Sequence, residues 1–70
     1  MDIEQLRTLL EVNRTRHFRQ AGEELFVTQG AVSARIRKLE EELGVTLFER
    51  QNTKTIQPTP EGHRLLRHAE

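Results

Sequence analysis

Residues 27–43 read Val-Thr-Gln-Gly-Ala-Val-Ser-Ala-Arg-Ile-Arg-Lys-Leu-Glu-Glu-Glu-Leu, and Gly44 follows. Thr28 suits a helix N-cap, because its hydroxyl can accept from the N–H of Gly30 or Ala31, while Val27 and Val32 take the two positions of a hydrophobic staple. Val32, Ile36, Leu39 and Leu43 recur at steps of four, three and four residues. At 3.6 residues per turn they fall within about 60° of one another. A helix from Thr28 to about Leu43 is therefore expected, with this stripe buried and Gly44 supplying the left-handed residue that ends it. The outward side then carries Gln29, Gly30, Ser33, Ala34 and Arg37. Along its length the segment starts uncharged, turns basic at Arg35, Arg37 and Lys38, and ends in Glu40, Glu41 and Glu42.

Upstream, Asp2 can cap a first helix over about Asp2 to Asn13, with Glu4 in the first turn and Ile3, Leu6, Leu9 and Leu10 at helical spacing. Phe18, Ala21, Gly22 and Leu25 mark a short second helix. Gly22 inside it costs about 1 kcal/mol of helix propensity relative to Ala, so a close helix contact is expected there. Two helices joined by the short Phe26-Val27 connection, the second with an uncharged outer front, form a helix-turn-helix pattern. Downstream, Val45 to Arg50 and Thr55 to Gln57 read as two short strands around the polar tip Gln51-Asn52-Thr53-Lys54. Pro58 cannot donate to a ladder and ends the second strand. Thr59-Pro60 is an N-cap followed by the proline that opens a fourth helix, with Leu65, Leu66 and Ala69 as its apolar positions. No capping residue follows them, as expected of a helix cut short.

Seventy residues support one small domain that buries roughly 60% of its unfolded surface, marginal enough to gain from a partner. The chain has no cysteine, which removes disulfides, thiolate metal sites and a cysteine nucleophile. Apolar runs reach two or three residues, so neither a membrane span nor an export signal is expected, and a reducing cytoplasm fits. Eleven basic and eleven acidic side chains cancel, so placement of charge matters more than its total. Arg14, Arg16 and Arg19 with His17 form one basic group, Arg35, Arg37 and Lys38 a second, and Arg50 with Lys54 a third.

The outer front of the third helix has the chemistry of a base reader. Gln29 can pair with adenine through two hydrogen bonds and Ser33 with either kind of base edge, while Gly30 and Ala34 leave room for close approach or a thymine methyl. Arg35, Arg37 and Lys38 suit phosphates, and by the three glutamates the helix must have left the groove, since carboxylates beside phosphates repel. Arg50 and Lys54 near the hairpin tip can grip the DNA backbone or the flanking minor groove. In an arbitrary helix Gln29 and Ser33 would be ordinary solvent-facing residues; the surrounding pattern favours the reading role. Arg14 and Arg16 are as well explained as solvated, Arg7 and Arg64 as surface. Glu40 to Glu42 are expected to be a solvated helix end with weak pairs to Arg37 or Lys38. His63 and His68 are five apart, which misses the spacing that puts two metal ligands on one helical face. Ser33 has no histidine in its pattern and no glycine-rich phosphate loop exists, so neither catalysis nor a cofactor is expected. The rival class is a winged-helix module whose third helix contacts a protein; such binding would respond little to salt, whereas phosphate-driven binding falls steeply.

Five ordered blocks carry a resemblance to the N-terminal DNA-binding domain of LysR-type transcriptional regulators: Phe18-Arg19-Gln20-Ala21-Gly22-Glu23-Glu24-Leu25, Thr28-Gln29-Gly30-Ala31-Val32-Ser33, Ile36 through Gly44, Leu47-Phe48-Glu49-Arg50, and Thr59-Pro60-Glu61-Gly62. The resemblance spans essentially the whole chain. It implies a mainly α fold with a small β-hairpin: a winged helix-turn-helix over residues 1–58, then from 59–70 the start of a linker helix that pairs antiparallel in a homodimer. It also implies a C-terminal effector-sensing domain absent here, through which alone a small molecule would act, and a bacterial, cytoplasmic, nucleoid-associated protein. The expected function is sequence-specific binding of double-stranded DNA at interrupted palindromes. Gln29, Gly30, Ser33 and Ala34 take the family's base-reading positions. Arg19, Thr28, Arg37, Lys38, Arg50 and Lys54 are assigned to the DNA backbone, and Leu65, Leu66 and Ala69 to dimerisation, although these three are equally expected to cover the domain's own core, since a helix can bury one side each way. The chain departs from the family pattern in several places. His17 replaces the usual serine, which leaves the second helix without its normal cap and offers Thr15 as an alternative start. Gly22 replaces alanine, Gly30 replaces proline or serine, Pro58 replaces leucine, and Ala34 replaces a polar reader.

Overall fold

The computed structural model describes residues 2–50 and 55–69, with side chains for 2–49 and 55–68. Four helices and one antiparallel strand pair follow in the order α1 (Ile3–Thr15), α2 (Phe18–Leu25), α3 (Gln29–Leu43), β1 (Phe48–Arg50), β2 (Ile56–Pro58) and α4 (Pro60–Ala69). The turn residues 51–54 expected between the strands lie outside the described residues.

α1 opens on a reciprocal capping box. The Asp2 carboxylate accepts from the Gln5 N–H at 2.8 Å, and the Gln5 side-chain oxygen accepts from the Asp2 N–H at 3.0 Å. The helix runs two residues past the expected Asn13, because Thr15 bonds back to the Glu11 carbonyl and Arg16 closes it in the left-handed conformation, its N–H on Val12 O. α2 begins at Phe18 with His17 as N-cap and no side-chain cap bond, so the missing cap is real and the start does not move to Thr15. The Thr15 hydroxyl oxygen instead accepts from the His17 N–H at 3.4 Å. Between α2 and α3 the chain turns at Phe26, which has φ 59° and is 94% exposed. The expected close approach at Gly22 is present: a Cβ there would lie 2.8 Å from the Val27 carbonyl oxygen. The approach is to the turn leading into α3 rather than to a helix.

α3 matches its expected span. Thr28 caps it by accepting from Ala31 N at 3.0 Å, and Gly44, at φ 72°, ends it. Val32 and Leu39 are fully buried and Ile36 nearly so, packed with Leu9, Val12, Ala21, Leu47, Phe48, Ile56 and Leu66 in one core. Fully burying such a side chain stabilises the fold by about 1.5–3 kcal/mol. Leu43, also expected in this stripe, is 43% exposed at the helix end.

The first strand is shorter than the sequence suggests and the second keeps its length. β1 starts at Phe48 rather than Val45, since the Val45 N–H is taken by Glu40 O and the Leu47 N–H by the Glu40 carboxylate. β2 is shifted by one, with Pro58 as its last residue opposite Phe48. α4 is capped as expected. The Thr59 hydroxyl accepts from Gly62 N at 3.0 Å and donates to Thr46 O, while Thr59 N donates to Leu47 O at 2.9 Å. This seats the first turn of α4 directly on the backbone ahead of β1. A Cβ on Gly62 would fall on the Leu47 carbonyl oxygen, well inside contact distance.

Gly62→Ala is therefore expected to lower stability by roughly 3 kcal/mol or to prevent folding, because backbone must move. Gly44→Ala has open space and only the left-handed φ to overcome, costing about 1 kcal/mol. Urea unfolding checks the pair; equal losses would contradict the seat of α4.

Candidate nucleic-acid interface

The buried stripe on α3 fixes which side faces out. Gln29, Gly30 and Ala34 are exposed and Ser33 is half-buried, and among the described residues neither the Gln29 nor the Ser33 side chain bonds another residue. A Cβ on Gly30 would meet only the Thr28 hydroxyl, at 3.9 Å, so nothing in the fold demands glycine there. Thr28 is exposed; its hydroxyl oxygen serves the cap, which leaves its proton free to donate.

The basic residues separate into those that hold the fold and those that do not. Arg35, expected with the phosphate group, turns inward: it donates to the buried Thr8 hydroxyl at 3.3 Å and lies 3.7 Å from the Glu4 carboxylate, tying α3 to α1. Arg14 pairs with Glu11 at 2.7 Å and with Glu24 at 3.5 Å. Arg16 donates to Asn13 O at 2.7 Å and to the Gln57 side chain at 3.4 Å, and its carbonyl accepts from Ile56 N at 3.2 Å, so this turn holds the second wing strand. Arg37 and Lys38 are exposed, with no ion pair among the described residues. Arg19 is exposed and 3.7 Å from Glu23, a contact weak enough to exchange for another anion. Arg50 lies in β1, and its side chain, like Lys54 altogether, lies outside what is described.

The three glutamates do not form the solvated end expected of them. Glu40 is half-buried, and one oxygen of its carboxylate accepts from Leu47 N at 2.7 Å and Phe48 N at 3.4 Å. Glu42 accepts from the Gln5 side-chain amide at 2.8 Å, joining the end of α3 to the start of α1. Glu41 and Glu42 remain exposed, so it is Glu40 that departs most from the solvated reading, and among the described residues the expected pairs with Arg37 or Lys38 do not form. Sequence spacing points to helix neighbours and carries no signal for a carboxylate that caps a distant strand.

Ser33, Arg37 and Glu40 face Phe48, Glu49 and Ile56 of the hairpin across a cleft of about 190 Å³. Helix front and wing thus flank one concavity with Arg37 on its wall. On α4, Leu66 is 4% exposed and packed in the domain's own core, whereas Leu65 is half-buried; the Ala69 side chain lies outside the described residues. Among the described residues no three His, Cys, Asp or Glu side chains could share a metal ion, and no helix is long and apolar enough to cross a membrane.

A three-helix core with a helix-turn-helix and a two-stranded wing defines the winged helix-turn-helix class. Residues 3–63 match the family described as bacterial regulatory helix-turn-helix protein, lysR family. The chain is 57% identical over all its 70 residues to the HTH-type transcriptional regulator HdfR of Yersinia enterocolitica, covering 24% of that protein. Its fold superposes on the BenM_DBD/benA site 1 DNA complex with a TM-score of 0.91 at 36% identity, covering 99% of this chain and 76% of that one. The CbnR_DBD-DNA complex gives 0.92 at 32% identity, covering 99% and 78%. The chain belongs to the LysR family of regulatory helix-turn-helix proteins, and it spans about a quarter of the length of the curated relatives it matches.

The two arginines two residues apart on α3 should separate cleanly. Arg35→Ala is expected to destabilise the fold by about 1 kcal/mol through its lost bond to Thr8, and Arg37→Ala to change stability by less than about 0.5 kcal/mol. Denaturant midpoints measure both; a larger loss at Arg37 would contradict the inward placement of Arg35.

Proposed function

We propose that this chain is the DNA-binding module of a LysR-type transcriptional regulator, with α3 in the major groove of double-stranded DNA and the wing on the adjoining backbone. One observation carries the reading: Gln29, Gly30 and Ala34 are exposed on α3, Ser33 opens with Arg37 onto the cleft beside the wing, and the opposite stripe is buried in the core. Gln29 and Ser33 read base edges, and Gly30 with Ala34 lets the helix backbone approach them. Glycine at position 30 carries a helix-propensity cost that no contact within the fold explains, which suits a close approach from outside. Thr28, Arg19, Arg37, Lys38, Arg50 and Lys54 serve the phosphates. Two of the solved relatives are complexes with DNA, which supports a nucleic-acid partner for this chain.

In this reading residues 1–58 form the DNA-binding domain and 59–70 the start of a linker helix that pairs two copies. Leu66 anchors that helix to its own domain and Leu65 packs against the same core while half-exposed, so the partner would meet the open side of Leu65 together with Ala69. Two recognition helices then sit about 34–36 Å apart on successive half-sites. The protein works by occupancy rather than catalysis, in the cytoplasm at the nucleoid, and any small-molecule effector acts through a C-terminal domain beyond this chain.

Gln29→Ala is expected to weaken binding to a selected duplex by roughly 1–3 kcal/mol while leaving binding to random DNA nearly intact, and Arg37→Ala to weaken both and flatten the dependence on log salt. Fluorescence anisotropy over a salt series measures this. Equal losses on both duplexes for Gln29→Ala would refute its assignment as a reader.

A further inference from the structure

We infer that Glu40 is a positioning residue for DNA recognition: through its bonds to Leu47 and Phe48 it sets the wing at a fixed angle to the recognition helix, so that base reading and flank contact occur together. The inference rests on the DNA-binding reading above. Glu40 is on α3 itself, one turn beyond Arg37 on the same wall of the cleft. Its carboxylate accepts from two successive backbone N–H groups, Leu47 at 2.7 Å and Phe48 at 3.4 Å, where the chain enters β1. The bond to Leu47 is short, as bonds from a carboxylate to backbone N–H groups are, and the one to Phe48 is longer and weaker. β1 has three residues and pairs only with β2, so its own ladder gives it little rigidity relative to the helices.

The other attachments of the hairpin are to different elements. Ile56 N donates to Arg16 O, the Arg16 guanidinium reaches Gln57, and Thr59 N donates to Leu47 O. Glu40 is the hydrogen-bonding side chain that joins the recognition helix directly to the wing among the described residues. With α3 in a major groove and the wing over the flanking backbone, the intervening phosphates pass over the cleft. A free carboxylate there would repel them, whereas one committed to two N–H dipoles repels them less and holds the cleft open beside Arg37.

The test compares two duplexes recovered by selection from a random library with the unsubstituted 70-residue chain: the full selected sequence, and the same sequence shortened at the flanks to the part read by α3. The ratio of the two affinities measures the wing's contribution. Glu40→Leu is expected to bring that ratio toward unity with the shortened duplex bound almost as before, and Glu40→Gln, which keeps one acceptor oxygen, to restore most of it. Circular dichroism confirms that each variant is folded; if Glu40→Leu does not fold, Glu40→Asp, whose carboxylate is one methylene short of the Leu47 N–H, takes its place and should show a smaller ratio than the unsubstituted chain and than Glu40→Gln. An unchanged ratio in the folded variants, or equal weakening on both duplexes, overturns the inference, since a merely structural role would not select the flanks. A ratio near unity in the unsubstituted chain overturns it too, there being no wing contact to position. Absence of any salt-sensitive binding by the unsubstituted chain is a distinct result, which removes the DNA-binding reading itself.

Discussion

Burial of Val32, Ile36 and Leu39 against α1, α2 and the wing is the constraint on which the rest of this structure depends. A helix has one rotational degree of freedom about its axis, and three fully or nearly fully buried side chains in a single stripe remove it. Once that rotation is set, Gln29, Gly30 and Ala34 have to face solvent, and Ser33 and Arg37 have to border the wing. The proposed reading surface is thus a consequence of the core rather than a separate feature laid over it.

Polar contacts then hold the stripe in register along its length. At the far end of α3, Glu42 takes the amide of Gln5, whose oxygen is meanwhile part of the cap of α1. Midway, Arg35 reaches the Thr8 hydroxyl, which itself donates to the Glu4 carbonyl at 2.7 Å. Between these levels Glu40 turns to the wing. Three charged side chains in eight residues of one helix therefore bond outward to two different elements, whereas the Gln29, Ser33, Arg37 and Lys38 side chains bond nothing among the described residues. The division of labour is sharp because the front of the helix carries no charge to be satisfied. On the opposite edge, Gly62 lets α4 sit against the Leu47 carbonyl, so the same short stretch between α3 and β1 is gripped from both sides.

Much of this was legible in the residues. The span of α3, its Thr28 cap, its Gly44 stop and its buried stripe followed from periodicity and capping chemistry, as did the Thr59 cap of α4 and the crowded backbone at Gly22. What the residues did not reveal depends on contacts distant in sequence. Arg35 looked like a phosphate ligand because its neighbours are basic, yet its angle about the helix axis points it at Thr8, twenty-seven positions away. Glu40 looked solvated because its neighbours are acidic, yet it completes the backbone of the wing, and the same bonds shorten the first strand to begin at Phe48. Leu66 was open to either role, since a helix can bury one side in its own domain and another against a partner, and only the packing, which leaves it 4% exposed, decides for the core. Phe26 is the opposite case, an apolar side chain that the turn's left-handed backbone leaves exposed.

The central claim is that the outer front of α3, together with the side of the wing it borders, is where nucleic acid docks. Amide chemical-shift changes on adding a duplex to the isotopically labelled chain test it most directly. The account requires the largest changes to cluster from Thr28 to Lys38 and at the hairpin, with Asp2 to Gln5 and the exposed Leu43 and Val45 little affected. Changes centred instead on Ile3, Leu43 and Val45, with Gln29 and Ser33 unmoved, would contradict it.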